Sequence, residues 1–236
     1  MFIVYGVKAA ICKMRDLHND TFPTFSAIDI GVTEQEKIDI LDEVIDLPPE
    51  VHHFNDFRGC RMVSIYNGGG LLGGRETGSK RDGVFDFSPG GKLCPTLMRV
   101  CREKIFPFMD PPGRVTILKT APGTGLNVHI DTTESEIGSL HQKYRLVLNG
   151  NVGKLYFIDR DYNRVYVPPH YDSYSMDGGH PHSIDPDEEE KITLCVGVPW
   201  HGASNEIYDR MMKNSAFQMT VSRPKILDEW QDPALK

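Results

Sequence analysis

Apolar and polar residues alternate along VTILKT at 115–120, and short apolar runs set off by turn residues follow downstream in KYRLVLN, GKLYFI, RVYVP and KITLCVGV. A period of two is the strand pattern, because successive side chains point to opposite faces. From Val115 onward these runs predict strands at 115–119, 126–131, 143–149, 153–158, 164–168, 173–176, 181–184 and 191–198. Turn residues separate them at Asn149-Gly150-Asn151, Asp159 to Asn163 and Pro168-Pro169. Around eight short strands with no helical period among them predict a sandwich or barrel. The jelly roll, or cupin, is the eight-strand form whose interior can hold a metal.

Upstream the period changes. Thr33-Glu34-Gln35-Glu36 is a capping box; Ile38, Leu41 and Ile45 follow at helical spacing, and Pro48-Pro49 stops the helix. This helix is expected to buttress a sheet. A second helix is expected from Pro95, with Leu97, Cys101 and Ile105 on one face and Pro107 at its end. RMVSIY at 61–66 reads as a strand, as does the short run Phe2 to Tyr5. Ser204 is a candidate cap for a short helix through Met212, and the tail from Asn214 is expected to be loosely structured or packed across the outside. The chain is therefore expected to be mainly β, with flanking N-terminal and pre-barrel helices. The expected units are an extension at 1–59, a β core at 60–203, and a helix and tail at 204–236.

Composition narrows the function classes. The 236 residues are 39% hydrophobic and 25% charged, which is ordinary for a globular domain with a sizeable core. A net charge of −7 argues against a nucleic-acid partner, which calls for a basic face. The five cysteines, at 12, 60, 94, 101 and 195, are odd in number and form no CxxC pair, which reads as reduced thiols inside a cell. The apolar start MFIVYG is too short to span a bilayer and precedes its basic residues, the reverse of a secretory signal. These features together predict a cytoplasmic protein with no membrane partner.

Candidate chemistry lies where the predicted strand 126–131 ends in His129-Ile130-Asp131. Residues two apart on a strand share a face, so His129 and Asp131 are expected to project together. An imidazole beside a carboxylate supplies two of the three ligands of the 2-His-1-carboxylate triad that holds non-haem Fe(II). GGHPHSI at 178–184 offers the third. His182 is preferred there, because it directly precedes the strand-like Ser183-Ile184 behind a stiff Pro181; His180 stands as the alternative. Asp177 and Ser183 are candidate partners behind the ligands. His52-His53 looks like a metal pair, but neighbours on an extended segment diverge, so a surface or packing role is expected. The loop from 68 to 83 holds seven glycines without the spacing of a phosphate cradle, and reads as a lid or surface excursion. Its Arg75, Lys80 and Arg81 are candidates to meet an anionic substrate. Asp185 to Glu190 reads as a solvated hairpin turn.

The segments VTILKTAPGTGLNVHID, KYRLVLNG and MDGGHPHSIDPDEEEKITLCVGV together resemble the Fe(II)/2-oxoglutarate-dependent oxygenases, and more narrowly the aspartyl/asparaginyl β-hydroxylase branch. The likeness covers roughly residues 60–200. It implies a double-stranded β-helix with Fe(II) on His129, Asp131 and His182, and 2-oxoglutarate and O2 as cosubstrates. It also implies hydroxylation of an amino-acid side chain, free or within a peptide or protein, with release of succinate and CO2. The far carboxylate of 2-oxoglutarate needs a cation, which in the family comes from the final strand and here falls on Lys191, with Arg145 as supporter or substitute. Lys191 is one position closer to the distal histidine than is usual and is Lys where that branch has Arg, so the division between Lys191 and Arg145 stays open. Two other classes share such a fold: a cupin-like metal-binding protein with non-redox chemistry or ligand binding only, and a β-sandwich interaction module with structural histidines.

Overall fold

The computed structural model describes residues 23–55, 59–68, 85–109, 112–129, 143–178, 180–197, 209–210 and 212–224. The expected strand at Phe2 to Tyr5, the cations Arg75, Lys80 and Arg81, and the cap at Ser204 lie outside the described residues. The described residues begin with β1 (Phe25–Ile28), α1 (Glu34–Ile45), β2 (His52–Asn55), β3 (Cys60–Asn67) and β4 (Asp86–Phe87). Next come α2 (Pro89–Lys92), α3 (Pro95–Val100), a π-helical turn (Cys101–Ile105), α4 (Phe106–Phe108), β5 (Val115–Thr120) and β6 (Tyr144–Asn149). The last strands are β7 (Leu155–Ile158), β8 (Arg164–Tyr166), β9 (Ser173–Met176), β10 (His182–Ile184), β11 (Lys191–Val196) and β12 (Ser215–Met219).

The described strands form two antiparallel sheets. The large one runs β12-β1-β9-β6-β11-β5-β3-β2 with β4 on β3, and the small one runs β10-β7-β8. Alternation decides what each sheet face meets. Ile192, Leu194 and Val196 of β11 join Val115, Ile117, Tyr144 and Leu146 in a core shared with the helices. On the opposite face, Phe25, Val147, Tyr174 and Met176 pack against Leu155 and Phe157 of the small sheet. Each fully buried Leu or Phe contributes about 1.5–3 kcal/mol. The space left between the two sheets holds the polar side chains of β11.

The capping box at Thr33 forms as its sequence predicts: Glu36 N donates to Thr33 Oγ1 at 3.2 Å and Thr33 N donates to Glu36 Oε2 at 2.9 Å. Burial alone would raise the Glu36 pKa. Hydrogen bonds from Lys104, the Thr33 backbone and Arg99 outweigh it and hold the carboxyl down at about 2. The buttressing face of α1 differs from the expected one. Ile40 and Val44 are fully buried, whereas Ile38 is 51% and Ile45 47% exposed.

Pro107 does not end the second helix. The π-helical turn lets Phe106 N bond to Cys101 O, five residues back, and the chain carries on through Pro107 to Phe108. The wider turn places the imino nitrogen of Pro107 in the first turn of α4, where no donor is needed. At the other end of the chain, Ser215 to Met219 is no loose tail. As β12 it pairs with β1, Phe25 opposite Met219.

α2 is too short to hold by its own hydrogen bonds and depends on contact with β3. Ser88 Oγ caps it by accepting from Gly91 N at 3.0 Å. A Cβ on Gly91 would lie 2.2 Å from Ile65 O, so glycine is what lets helix and strand touch. Gly91→Ala is expected to cost about 2–4 kcal/mol, measured as a lowered urea midpoint. An unchanged midpoint would mean that α2 does not lie against β3.

Candidate metal centre

Beyond β5 the chain reverses at Pro122-Gly123, Gly123 having φ 72°, and crosses to the small sheet. A Cβ on Gly125 would meet Ile184 O at 2.8 Å and Pro186 Cδ at 2.9 Å, so glycine permits the close approach to β10. Leu126 N donates to Ile184 O at 2.9 Å, and His129 and His182 exchange backbone N–H···O bonds of 3.0 Å in both directions. From Leu126 to His129 is one residue more than from Ile184 back to His182. The segment is therefore bulged, and the predicted strand 126–131 is replaced, as far as it is described, by a single bridge at His129. Ser183 Oγ donates to Leu126 O and secures the bulged segment to β10. Val128 turns to the other side and is buried against Tyr156 and Ile158.

This pairing brings the rings of His129 and His182 to 4.5 Å between centroids. His129 Nδ1 lies 2.8 Å from Asn127 O, and His182 Nδ1 lies 2.8 Å from His180 O. A carbonyl only accepts, so each neutral ring carries its proton on Nδ1 and its lone pair on Nε2. A backbone carbonyl fixing the far nitrogen is the usual support of a metal-binding histidine. His180 is arranged differently. Its Nε2 donates to Ile158 O at 2.7 Å, and its ring stands edge-on to Phe157 at 5.6 Å. Asp131 lies outside the described residues, and among those described no group of three metal-binding side chains occurs.

His129 and His182 line a cavity with Lys191, Arg145, Thr120 and Thr193. About 50 Å³ is open to the centres of water-sized molecules, room for about three to five waters. Lys191 is 5% exposed, and its Nζ makes no hydrogen bond among the described residues. Burial lowers its pKa to about 8, against the opposing pull of Asp187. The cavity therefore combines imidazole nitrogens on one wall with buried positive charge on another, a receptor for an anion.

The turn from Asp185 to Glu190 is more ordered than a solvated hairpin. Asp187 Oδ2 accepts from Asn151 N at 2.8 Å, and Asp187 O accepts from Gly123 N at 2.8 Å. Asn149 Nδ2 donates to Glu190 O at 2.5 Å. Three turns are thus tied together beside Lys191. Asp177 pairs with Arg223 at 2.5 Å, so it serves the C-terminal segment. His52 bonds Leu47 O at 3.1 Å, a packing role. Sequence reasoning passed over Thr120 and Thr193; Thr120 lies opposite Lys191 on β5, and Thr193 stands two residues along β11 from Lys191, on the same face.

The sequence matches no protein-family model and no curated protein. Solved structures do match. A prolyl hydroxylase in complex with a hypoxia inducible factor oxygen degradation domain peptide fragment, from Trichoplax adhaerens, aligns over 84% of this chain and 93% of that one, at 15% identity and TM-score 0.50. A Pseudomonas putida prolyl-4-hydroxylase covers 80% of this chain and 97% of its own at 13% identity and TM-score 0.46. An oxidoreductase of the 2OG-Fe(II) oxygenase family from Burkholderia pseudomallei covers 84% and 95% at 12% identity and TM-score 0.47. The first likeness, with the two antiparallel sheets, identifies the fold as the double-stranded β-helix found in Fe(II)/2-oxoglutarate oxygenases. Among the described residues no helix is long and apolar enough to cross a membrane.

Lys191→Met is expected to stabilise the ligand-free protein by about 1–3 kcal/mol at pH 7, measured by urea denaturation. The sign follows from proton linkage. The folded-state pKa, about 8, lies below the ordinary lysine value of 10.5, so between these values the unfolded chain binds more protons and wild-type stability rises with pH. The advantage of the variant should therefore be full below pH 8 and disappear as pH passes 10.5. A gap that stays constant with pH would remove the buried charge as its cause.

Proposed function

We propose that this chain is an Fe(II)/2-oxoglutarate-dependent dioxygenase that hydroxylates an amino-acid side chain. The observation that carries the reading is one cavity lined by two imidazoles whose Nδ1 atoms are held by backbone carbonyls, and by a buried ammonium with no hydrogen bond among the described residues. Such a donor set fits the metal, since imidazole nitrogen with a carboxylate suits Fe(II) that must keep open positions for its reactants. His129 and His182 would hold it through Nε2, with Asp131 as the carboxylate. Lys191 would receive the far carboxylate of 2-oxoglutarate, and Arg145, on the same cavity, would support it.

When bound, Fe(II) with 2-oxoglutarate and O2 supplies the oxidising power, yielding succinate, CO2 and a hydroxylated side chain. The work of the chain itself is orientation. Asn127 O and His180 O aim the two imidazoles, and Ser183 fixes the spacing of the segments that carry them. Thr120 and Thr193 offer hydroxyls along the cavity, and the apolar walls of Leu118, Leu126 and Leu155 keep bulk water away. His180 acts through its backbone oxygen on His182.

The substrate is an amino-acid side chain, free or in a peptide. The motif likeness to aspartyl/asparaginyl hydroxylases supports this class, as does the peptide complex of the Trichoplax adhaerens prolyl hydroxylase. Under anaerobic conditions, Fe(II) and 2-oxoglutarate together should give a weak visible charge-transfer band. The band should be lost in His129→Ala and His182→Ala and kept in His180→Asn. A spectrum indifferent to 2-oxoglutarate sinks the reading.

The buried amine adds a pH signature. Only protonated Lys191 attracts a carboxylate, so above a pKa of about 8 the apparent affinity for 2-oxoglutarate should fall, about tenfold per pH unit at the limit. Succinate assays across pH should show KM rising in the wild type and a high, flat KM in Lys191→Met. If the variant keeps the wild-type profile, the anchor lies elsewhere and Arg145 takes the role.

A further inference from the structure

The outward face of α1 carries apolar side chains among its polar ones, where solvent would favour polar residues throughout. Ile38 is 51% exposed, and Ile38 and Leu41 line a groove of about 730 Å³ together with Val147, Leu148 and Pro169. The same groove is lined by the carboxylates of Glu34, Asp172, Asp187, Glu188 and Glu189. Against them stands one formal cation among the lining residues, Lys37, already paired with Glu34 at 2.5 Å and with Asp172. The groove shares no lining residue with the histidine cavity, so its occupant is independent of the metal-site reading.

We propose that this groove docks a basic, amphipathic segment of a protein partner. An apolar side chain of the segment lies against Ile38 and Leu41, and its Lys or Arg side chains meet Glu188 and Glu189. Complementarity selects this occupant. An acidic segment would meet like charge, and a purely polar cation would leave the apolar wall wet. The turn that carries Glu188 and Glu189 is held in advance, because Asp187 binds Asn151 N at 2.8 Å and Glu188 N at 2.9 Å. A turn whose backbone is already ordered loses little further backbone freedom on binding, which favours affinity.

Fluorescence anisotropy with a labelled peptide about ten residues long, alternating Lys and Leu, tests the proposal. Saturable binding to the full chain is expected, weakened about tenfold by the pair Glu188→Lys and Glu189→Lys and about fivefold by Ile38→Ser. These side chains are exposed, so circular dichroism should show each variant folded as the wild type. A Lys/Ser peptide and spermine carry charge without apolar surface and should bind markedly more weakly. Equal binding of those probes reduces the groove to an acidic patch and overturns the proposal. Binding unaffected by Ile38→Ser, or no saturable binding at all, overturns it as well.

Discussion

The reciprocal backbone hydrogen bonds between His129 and His182, 3.0 Å each way, are the constraint on which the candidate centre depends. The two histidines come from segments far apart in the chain, and ring placement follows from register. On a strand edge a slip of one residue exchanges the faces. It would put Val128 toward the cavity and His129 among Tyr156 and Ile158, where Val128 now packs. The register is held by the close approach at Gly125, by the Ser183 hydroxyl on Leu126 O, and by the bulge that absorbs the extra residue. Irregularity here is what aligns the site: a regular ladder from Leu126 onward would reach β10 out of phase.

The second constraint is the division of faces along β11. Ile192, Leu194 and Val196 join the core shared with the helices, while Lys191, Thr193 and Cys195 line the cavity. Because α1 and the segment from Pro95 to Phe108 complete a full apolar core on one side of the large sheet, the other side can hold polar groups. Burying an amine there opposes stability, and the helix-side core offsets it. The ordered turns around Asp187 set a carboxylate near enough to moderate the charge of Lys191, though not to form a hydrogen bond with it.

Much of this was legible in the sequence. Short apolar runs set off by turn residues from Val115 onward marked β5 to β11 closely enough to expect a jelly-roll fold, and the capping box placed the start of α1 at its observed residue. The unread parts have physical reasons. β1 is buried at all four positions and so carries no alternation of its own, and β12 is held in place by pairing with β1, about 190 residues away in the chain. α1 offers two apolar stripes at helical spacing, and contact with the sheet, which no local pattern reveals, selects Ile40 and Val44 over Ile38 and Ile45. A proline reads as a stop unless a π-helical turn intervenes, and the turn here, with Cys101 and Ile105 buried, leaves no mark in the local pattern. The bulge before His129 was hidden for the same reason, since its partner lies on β10.

His180 and His182 show how little spacing alone decides. Two residues apart on a continuous strand they would share a face, and either could then be a ligand. β10, however, begins only at His182, and Pro181 precedes it. His180 is turned toward Ile158 O, where its Nε2 is used, while its own carbonyl accepts from His182 Nδ1. The first histidine thus orients the second through its backbone and spends its side chain on the neighbouring strand β7. That division gives the pair distinct roles without any difference in residue type, and it follows from where the strand begins.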